Sequence, residues 1–356
     1  MRAPSEATCR PALASLVSRG YLPGQEQIID GFGRTVTYLR IAITDLCNLR
    51  CIYCMPPEGI SWLPREAILS FEELETVVEA AAACGISKIR LTGGEPLIRK
   101  NLPRLVERLA TVPGIEELTL TTNGVYLEQF AHPLAQAGMS RVNVSLDTLD
   151  PRKFRRITRL GRLEDVLRGL DAAAQAGLTP LKVNTVVMGG LNDEEVPELA
   201  ALSLERPVEV RFIEYMPLEE AKGCARSSGA FNFVANEVTR ARIKARWGPL
   251  EALPSWGERD GPATRFRIAS AAGSLGFIGA MSAPFCQRCN RLRLTADGEI
   301  RSCLLEGGSV DVKAILRSGG SRPEIMAALR RVAMLKPEVH GSLTGAYRGS
   351  MSRIGG

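Results

Sequence analysis

The chain has 356 residues, 45% of them hydrophobic and 24% charged, with a net charge of +6. That length and mixture describe one large or two smaller globular domains. They exclude a low-complexity chain, and no apolar run reaches the length of a membrane span. The modest positive charge suits anionic ligands, nucleotides included, and the dense basic runs expected of a nucleic-acid binder are missing.

Residues 1–30 are read as a short N-terminal extension. Met1–Gly20 is rich in Ala, Ser and Arg, a weak likeness to an organelle transit peptide that Glu6 and two prolines oppose. From about Thr35 to Met216, short apolar runs alternate with helical patterns. Strands are expected at Val36–Thr44, Lys88–Thr92, Leu118–Thr122, Arg141–Asp147, Leu181–Met188 and Val208–Ile213. Ser70 and Glu73 form a capping box that opens a helix to about Cys84. Further helices are expected over Leu102–Thr111, Val125–Ala137, Leu163–Ala176 and Asp193–Leu204, with Gly85, Gly138 and Gly177 in C-capping positions. Six strand–helix units imply a parallel sheet with right-handed crossovers, either an open, incomplete (β/α)6 barrel or a doubly wound sheet. In both, chemistry belongs at the C-terminal ends of the strands.

That edge is where unusual residues recur. Cys47, Cys51 and Cys54 follow the first strand in a C-x-x-x-C-x-x-C array; Gly93-Gly94-Glu95-Pro96 follows the second; Thr121-Thr122-Asn123-Gly124 ends the third; Ser145 and Asp147 end the fourth; Met216 follows the sixth. Three thiolates are one short of the usual ligand set of zinc or of an iron–sulfur cluster, and a four-iron cluster held by three keeps one iron open. Nine cysteines with no secretory signal, six of them in two tight groups, point to metal in a reducing compartment such as the cytoplasm. Strand parity puts Arg40, Ala42 and Thr44 on one face, Arg90 with Thr92, and Lys182 with Asn184. Cations aimed into a barrel call for an anionic ligand; pairing with acids at the strand starts is the plainer account. Cys84 reads as a small core residue.

Beyond Pro217 the alternation stops, and a C-terminal domain over 218–356 is expected, after a barrel over 31–217. It carries Cys286, Cys289 and Cys303 in a C-x2-C-x13-C array, with Asp297-Gly298-Glu299 as a hairpin turn that returns Cys303 beside the other two. Zinc with a fourth ligand from elsewhere is the competing reading of this group.

The first array, with Tyr53 before its third cysteine, resembles the signature of the radical S-adenosylmethionine (SAM) superfamily. Together with Gly-Gly-Glu-Pro, the second array and a Gly355-Gly356 ending, the chain from about Gly31 onward resembles the GTP 3′,8-cyclase family of molybdenum cofactor biosynthesis. The resemblance favours the partial barrel. It implies two [4Fe–4S] clusters, one on Cys47, Cys51 and Cys54 that binds SAM, and one on Cys286, Cys289 and Cys303 that faces the guanine of GTP. It assigns Tyr53, Gly94, Ser145 and Met216 to SAM, and Arg40, Arg90, Thr121, Lys182, Arg291 and Arg293 to the nucleotide. Arg40 and the tail residues Arg353, Gly355 and Gly356 are expected at the reaction centre. The implied reaction is abstraction of the ribose 3′ hydrogen of GTP by a 5′-deoxyadenosyl radical, followed by attack on C8. Implied partners are an electron donor of flavodoxin or ferredoxin type and a downstream cyclic pyranopterin monophosphate synthase; a homodimer is left open. Leu46, where the family often has Arg, and the Pro217–Phe233 linker depart from the pattern. A radical SAM peptide maturase with an auxiliary cluster is the alternative enzyme, and a zinc-stabilised binding module the alternative non-enzyme.

Overall fold

A computed structural model describes residues 27–216, 231–254, 261–340 and 351–355. The short strands β1 (Ile28–Ile29) and β2 (Thr35–Val36) pair as a ribbon outside the main sheet. Then come β3 (Tyr38–Ala42), β4 (Lys88–Thr92), β5 (Glu117–Thr122), β6 (Arg141–Ser145), β7 (Leu181–Gly189) and β8 (Val208–Glu214). These six lie side by side in chain order, every pair parallel. Sequential parallel strands joined by helices make the incomplete (β/α)6 barrel.

The helices begin and end where local chemistry dictates. Phe71–Ala83 opens on the complete Ser70/Glu73 capping box. Gly85, Gly138 and Gly177 take positive φ just after helix ends, the conformation a Cβ disfavours. The helix Pro151–Thr158 was not expected; its signal was present, since Asp150 caps the amides of Arg152 and Lys153 and Pro151 occupies the first turn. Leu39, Ile41, Ile89, Leu91, Leu118, Leu120, Val142, Val144 and Val210 form the helix-facing side of the sheet and are buried with the helices' apolar stripes in one core, Cys84 included.

The C-terminal part is built onto the barrel. A helix, Asn236–Trp247, crosses back after β9 (Asn232–Phe233). Next, β10 (Leu250–Ala252) and β11 (Thr264–Ile268) pair antiparallel, and β12 (Ser274–Ile278) joins β8 in parallel. At the opposite edge β13 (Arg291–Leu294) pairs in parallel with β3, and β14 (Glu299–Arg301) and β15 (Ser309–Asp311) continue antiparallel. The regular strand–helix alternation stops after β8 as expected, but the segment from Asn232 onward does not stand apart: both barrel edges are extended by C-terminal strands. The linker over 217–230 lies outside the described residues, as do Cys9 and Cys224. Among the described residues, no helix is long and apolar enough to cross a membrane.

Candidate active site

The inner face of the sheet follows from register. Arg293 aligns with Arg40 and Arg40 with Arg90; Arg291 aligns with Tyr38 and Tyr38 with Lys88. Arg90 aligns with Thr119, and Thr119 with Arg141. Asn143 aligns with Lys182, Lys182 with Glu209, and Asn184 with Arg211. Because alternate residues share a face, one surface carries Arg40, Lys88, Arg90, Arg141, Lys182, Arg211, Arg291 and Arg293 against Glu117 and Glu209. Across β3–β8 and β13, eight cations thus meet two carboxylates.

The carboxylates serve the strand starts. Glu117 binds Lys88 at 2.7 Å and Arg141 at 2.5 Å. Glu209 binds Arg211 through its Nε, Arg265 at 3.3 Å and Lys182 at 3.6 Å. Other cations turn to neutral oxygens: Arg90 donates to the Tyr38 hydroxyl and to Thr121 Oγ1 (3.1 Å), and Arg293 donates to the Gly355 carbonyl at 2.6 Å. Burial, with Arg293 and Arg90 nearby, pushes the Arg40 guanidinium well below its usual range. Burial and then Arg291 bring Arg293 down to about 10. Burial raises the Tyr38 phenol, but Arg90, Arg40, Arg291 and Lys88 outweigh it and set it at about 7. Such crowding of like charge in a site out of water is unfavourable until an anion enters.

Arg40, Arg90, Thr121, Arg291, Arg293 and Met216 all line one cleft, together with Cys286, Cys289 and Cys303. Its volume is about 1310 Å³ with the open mouth counted, enough for a nucleotide. Asn184 also lines it, with a buried Oδ1 that has no donor in the described structure. Lys182 does not line the cleft; it is drawn to Glu209, and burial together with Arg211 lowers it to about 7. Here the plainer account, pairing at a strand start, describes the contact. Lys88, Arg141, Asn143 and Arg211 line the cleft and were not singled out from the sequence. The parity rule applied to every strand would have found them.

The first cysteine loop sits at the C-terminal rim. Cys47 Sγ accepts from Leu49 N at 3.4 Å and lies 4.0 Å from Asn123 Nδ2. Burial raises Cys47 to about 11 and Cys51 well above the usual thiol value, with Cys54 and Cys47 adding to the latter. Two buried thiols that resist ionisation alone, with N–H groups aimed at one sulfur, suit a cationic iron cluster. Tyr53 donates to Asp147 Oδ2 at 2.8 Å, and Asp147 Oδ1 accepts from Val186 N at 2.9 Å. Ser145 ends β6 two residues before Asp147. The resemblance assigns Gly94 to SAM, a role in which a missing Cβ would let a ligand approach the backbone. The structure shows a different constraint, since a Cβ there would meet Leu46 O at 2.1 Å and Asp45 O at 2.4 Å. The glycine is required so that the Gly94 and Glu95 amides can bind Thr44 O and Leu46 O, both at 2.8 Å. Leu46 itself is exposed.

The second group forms as the turn predicts. Arg293 pairs with Arg301 and Leu294 with Ile300 across Gly298, whose φ is +88°. Cys303 therefore returns to Cys289, and Cys286 feels the charge of both. Among the described residues no three His, Cys, Asp or Glu side chains converge tightly enough for a single metal ion.

The tail enters from the rim. Ile354 is buried, and a Cβ on Gly355 (φ +74°) would lie 2.2 Å from Thr92 Cγ2. Arg353 is half-buried and donates to Ser61 O at 2.8 Å, while Met351 lines the cleft. Gly356 lies outside the described residues.

Comparison with known proteins agrees with this layout. Residues 41–203 match the family model of the radical SAM superfamily, and residues 208–342 match that of Molybdenum Cofactor Synthesis C. The GTP 3′,8-cyclase of Moorella thermoacetica is 49% identical over 328 residues, covering 92% of this chain and 99% of that protein. This chain belongs to the GTP 3′,8-cyclase family. The GTP 3′,8-cyclase of Pelotomaculum thermopropionicum is likewise 49% identical over 330 residues, with coverage of 92% and 99%. Among solved structures, Streptococcus suis SuiB bound to S-adenosylmethionine superposes with a TM-score of 0.54 at 14% identity, over 89% of this chain and 70% of SuiB. That likeness concerns the fold alone. Members of this family are radical SAM enzymes that use SAM and [4Fe–4S] clusters, and the two cysteine groups fit that cofactor set.

Proposed function

We infer that this chain converts GTP to 3′,8-cyclo-7,8-dihydro-GTP, the first step of molybdenum cofactor biosynthesis. Near-half identity to GTP 3′,8-cyclases along almost their whole length carries this reading. The cationic cleft lined by the second cysteine group is its physical counterpart.

Cys47, Cys51 and Cys54 would hold the SAM-side cluster, and Cys286, Cys289 and Cys303 the substrate-side cluster. When bound, the cluster and SAM supply one-electron cleavage that yields a 5′-deoxyadenosyl radical. The remaining work belongs to the chain. Arg40, Arg90, Arg291 and Arg293 offer guanidinium forks to the triphosphate. Thr121, held by Arg90, would contact the nucleotide beside these arginines, and Lys182 would act on it through the Glu209–Arg211 group. Tyr53, Gly94, Ser145 and Met216 border the SAM position. Gly355, with Arg353 anchoring the turn, closes the rim and keeps water from the reacting carbon, and the resemblance assigns Gly356 to the same centre. The reductant is an external carrier of flavodoxin or ferredoxin type, and the product passes to a cyclic pyranopterin monophosphate synthase. The setting is a reducing one, the cytoplasm. The division into 1–30, 31–217 and 218–356 is kept as functional rather than structural, since C-terminal strands complete the barrel edges.

Anaerobic protein with SAM and dithionite should release 5′-deoxyadenosine strongly only when GTP is present. Release indifferent to GTP would overturn the substrate assignment and favour a peptide maturase.

A further inference from the structure

The loop after helix Arg322–Met334 places two side chains on the sulfurs of the second cysteine group. Lys336 is buried, and its ammonium has three N–H groups. It lies 2.8 Å from Arg291 O, 3.2 Å from Ser302 O and 3.5 Å from Cys289 Sγ. The two carbonyls mark the start of β13 and the end of β14, so the hairpin that returns Cys303 also aims the third proton at Cys289. His340 Nδ1 lies 3.4 Å from Cys286 Sγ. The loop between them is pinned: Arg34 donates to Pro337 O at 2.8 Å, Glu338 O at 3.1 Å and Cys286 O at 2.7 Å, and is itself held by Asp30. Nothing in the implied chemistry of the nucleotide requires a buried lysine behind the cysteines, facing their sulfurs.

We propose that Lys336 is a positioning residue for the second cluster that sets its reduction potential through the Cys289 sulfur. A reduced cluster is more negative than an oxidised one, and a cationic donor on a ligand sulfur stabilises it. Lys336 therefore raises the potential, and His340, in its Nδ1–H tautomer, acts in the same direction on Cys286. This rests on the reading of Cys286, Cys289 and Cys303 as cluster ligands.

The test uses full-length protein in which Cys47, Cys51 and Cys54 are replaced by Ala, so that only the second cluster gives a signal. The parent, Lys336→Met, Lys336→Gln and Lys336→Arg are reconstituted with iron and sulfide, and iron content and the midpoint by EPR-monitored titration are read. Lys336→Met and Lys336→Gln should load iron as the parent does, yet at a fixed ambient potential show an oxidised-to-reduced ratio about tenfold higher, a midpoint about 59 mV lower for one electron. Lys336→Arg should stay close to the parent. Full loading with an unchanged midpoint in the Met and Gln variants would overturn the proposal. So would loss of iron from both of them but not from Lys336→Arg, because Lys336 would then only brace the hairpin. A parent protein that binds no [4Fe–4S] cluster would instead overturn the reading of the cysteine group, and the proposal with it.

Discussion

Among single side chains, Tyr38 bears the heaviest electrostatic load, with a ring and hydroxyl set among Lys88, Arg90, Arg40 and Arg291. Its phenol at about 7 lies below the unfolded value of 10.0. A group depressed in the folded state contributes stability that is full above the unfolded value and is lost as pH falls towards the folded one. Tyr38 thus stabilises the substrate-free protein most above pH 10, and nothing remains below about 7. An absorbance titration of substrate-free protein should show one phenol ionising near neutral pH, absent in Tyr38→Phe. Bound GTP should shift that ionisation upward, because the phosphates neutralise the same cations. A titration with no tyrosine ionising below the ordinary range would remove this account of the cleft. The sequence offered the neighbours, Arg40 and Arg90, by parity, but not Tyr38, since a tyrosine at a strand start reads as ordinary core.

At the scale of elements, the loops after β3, β4 and β5 act as one unit. Glu95 accepts from Thr122 Oγ1 and Asn123 N, both at 2.7 Å, and from Leu97 N at 3.0 Å. Asn123 Nδ2 in turn binds Asn48 Oδ1 at 2.7 Å beside Cys47. Gly94→Ala would push a methyl into the Leu46 and Asp45 carbonyls, a clash that ordinary overpacking prices at about 1–3 kcal/mol. The damage should be local: the variant loses the first cluster and SAM binding but keeps the second, as iron content and EPR would show. Equal loss of both clusters would mean that the loop is coupled to the whole barrel. Glu95→Ala leaves Thr122 and two amides without their carboxylate and should cost about 1–3 kcal/mol, read as a lower denaturation midpoint. An unchanged midpoint would deny it that bridging role.

At the scale of the molecule, the inner sheet face stores repulsion that a polyanion relieves. GTP at about a hundredfold excess over Kd should stabilise the protein by about 2.7 kcal/mol, seen as a rise in Tm. Arg40→Ala and Arg293→Ala should each reduce that rise, and raised salt should weaken it. If GTP leaves Tm unmoved while SAM raises it, the cleft binds something other than the nucleotide. Cys286→Ser should keep about half of the iron of the two-cluster protein and still cleave SAM slowly, without cyclising GTP.

The sequence alone determined the six parallel strands, five of the helices, the Ser70 capping box and both cysteine arrays, because periodicity, capping and metal-ligand spacing are local and need no partner strand. It also carried the family, since the motifs hold their spacing. What only the tertiary structure decided depends on register and on which edge accepts a strand. Lys182 turned to Glu209 because β7 and β8 align those two positions. Gly94 proved to be packed on the cysteine loop. β12 and β13 extended the two edges of the barrel from residues that read as a separate domain. Lys336, 47 residues from Cys289 in the chain, reached its sulfur only because Arg34 pins the loop that follows it.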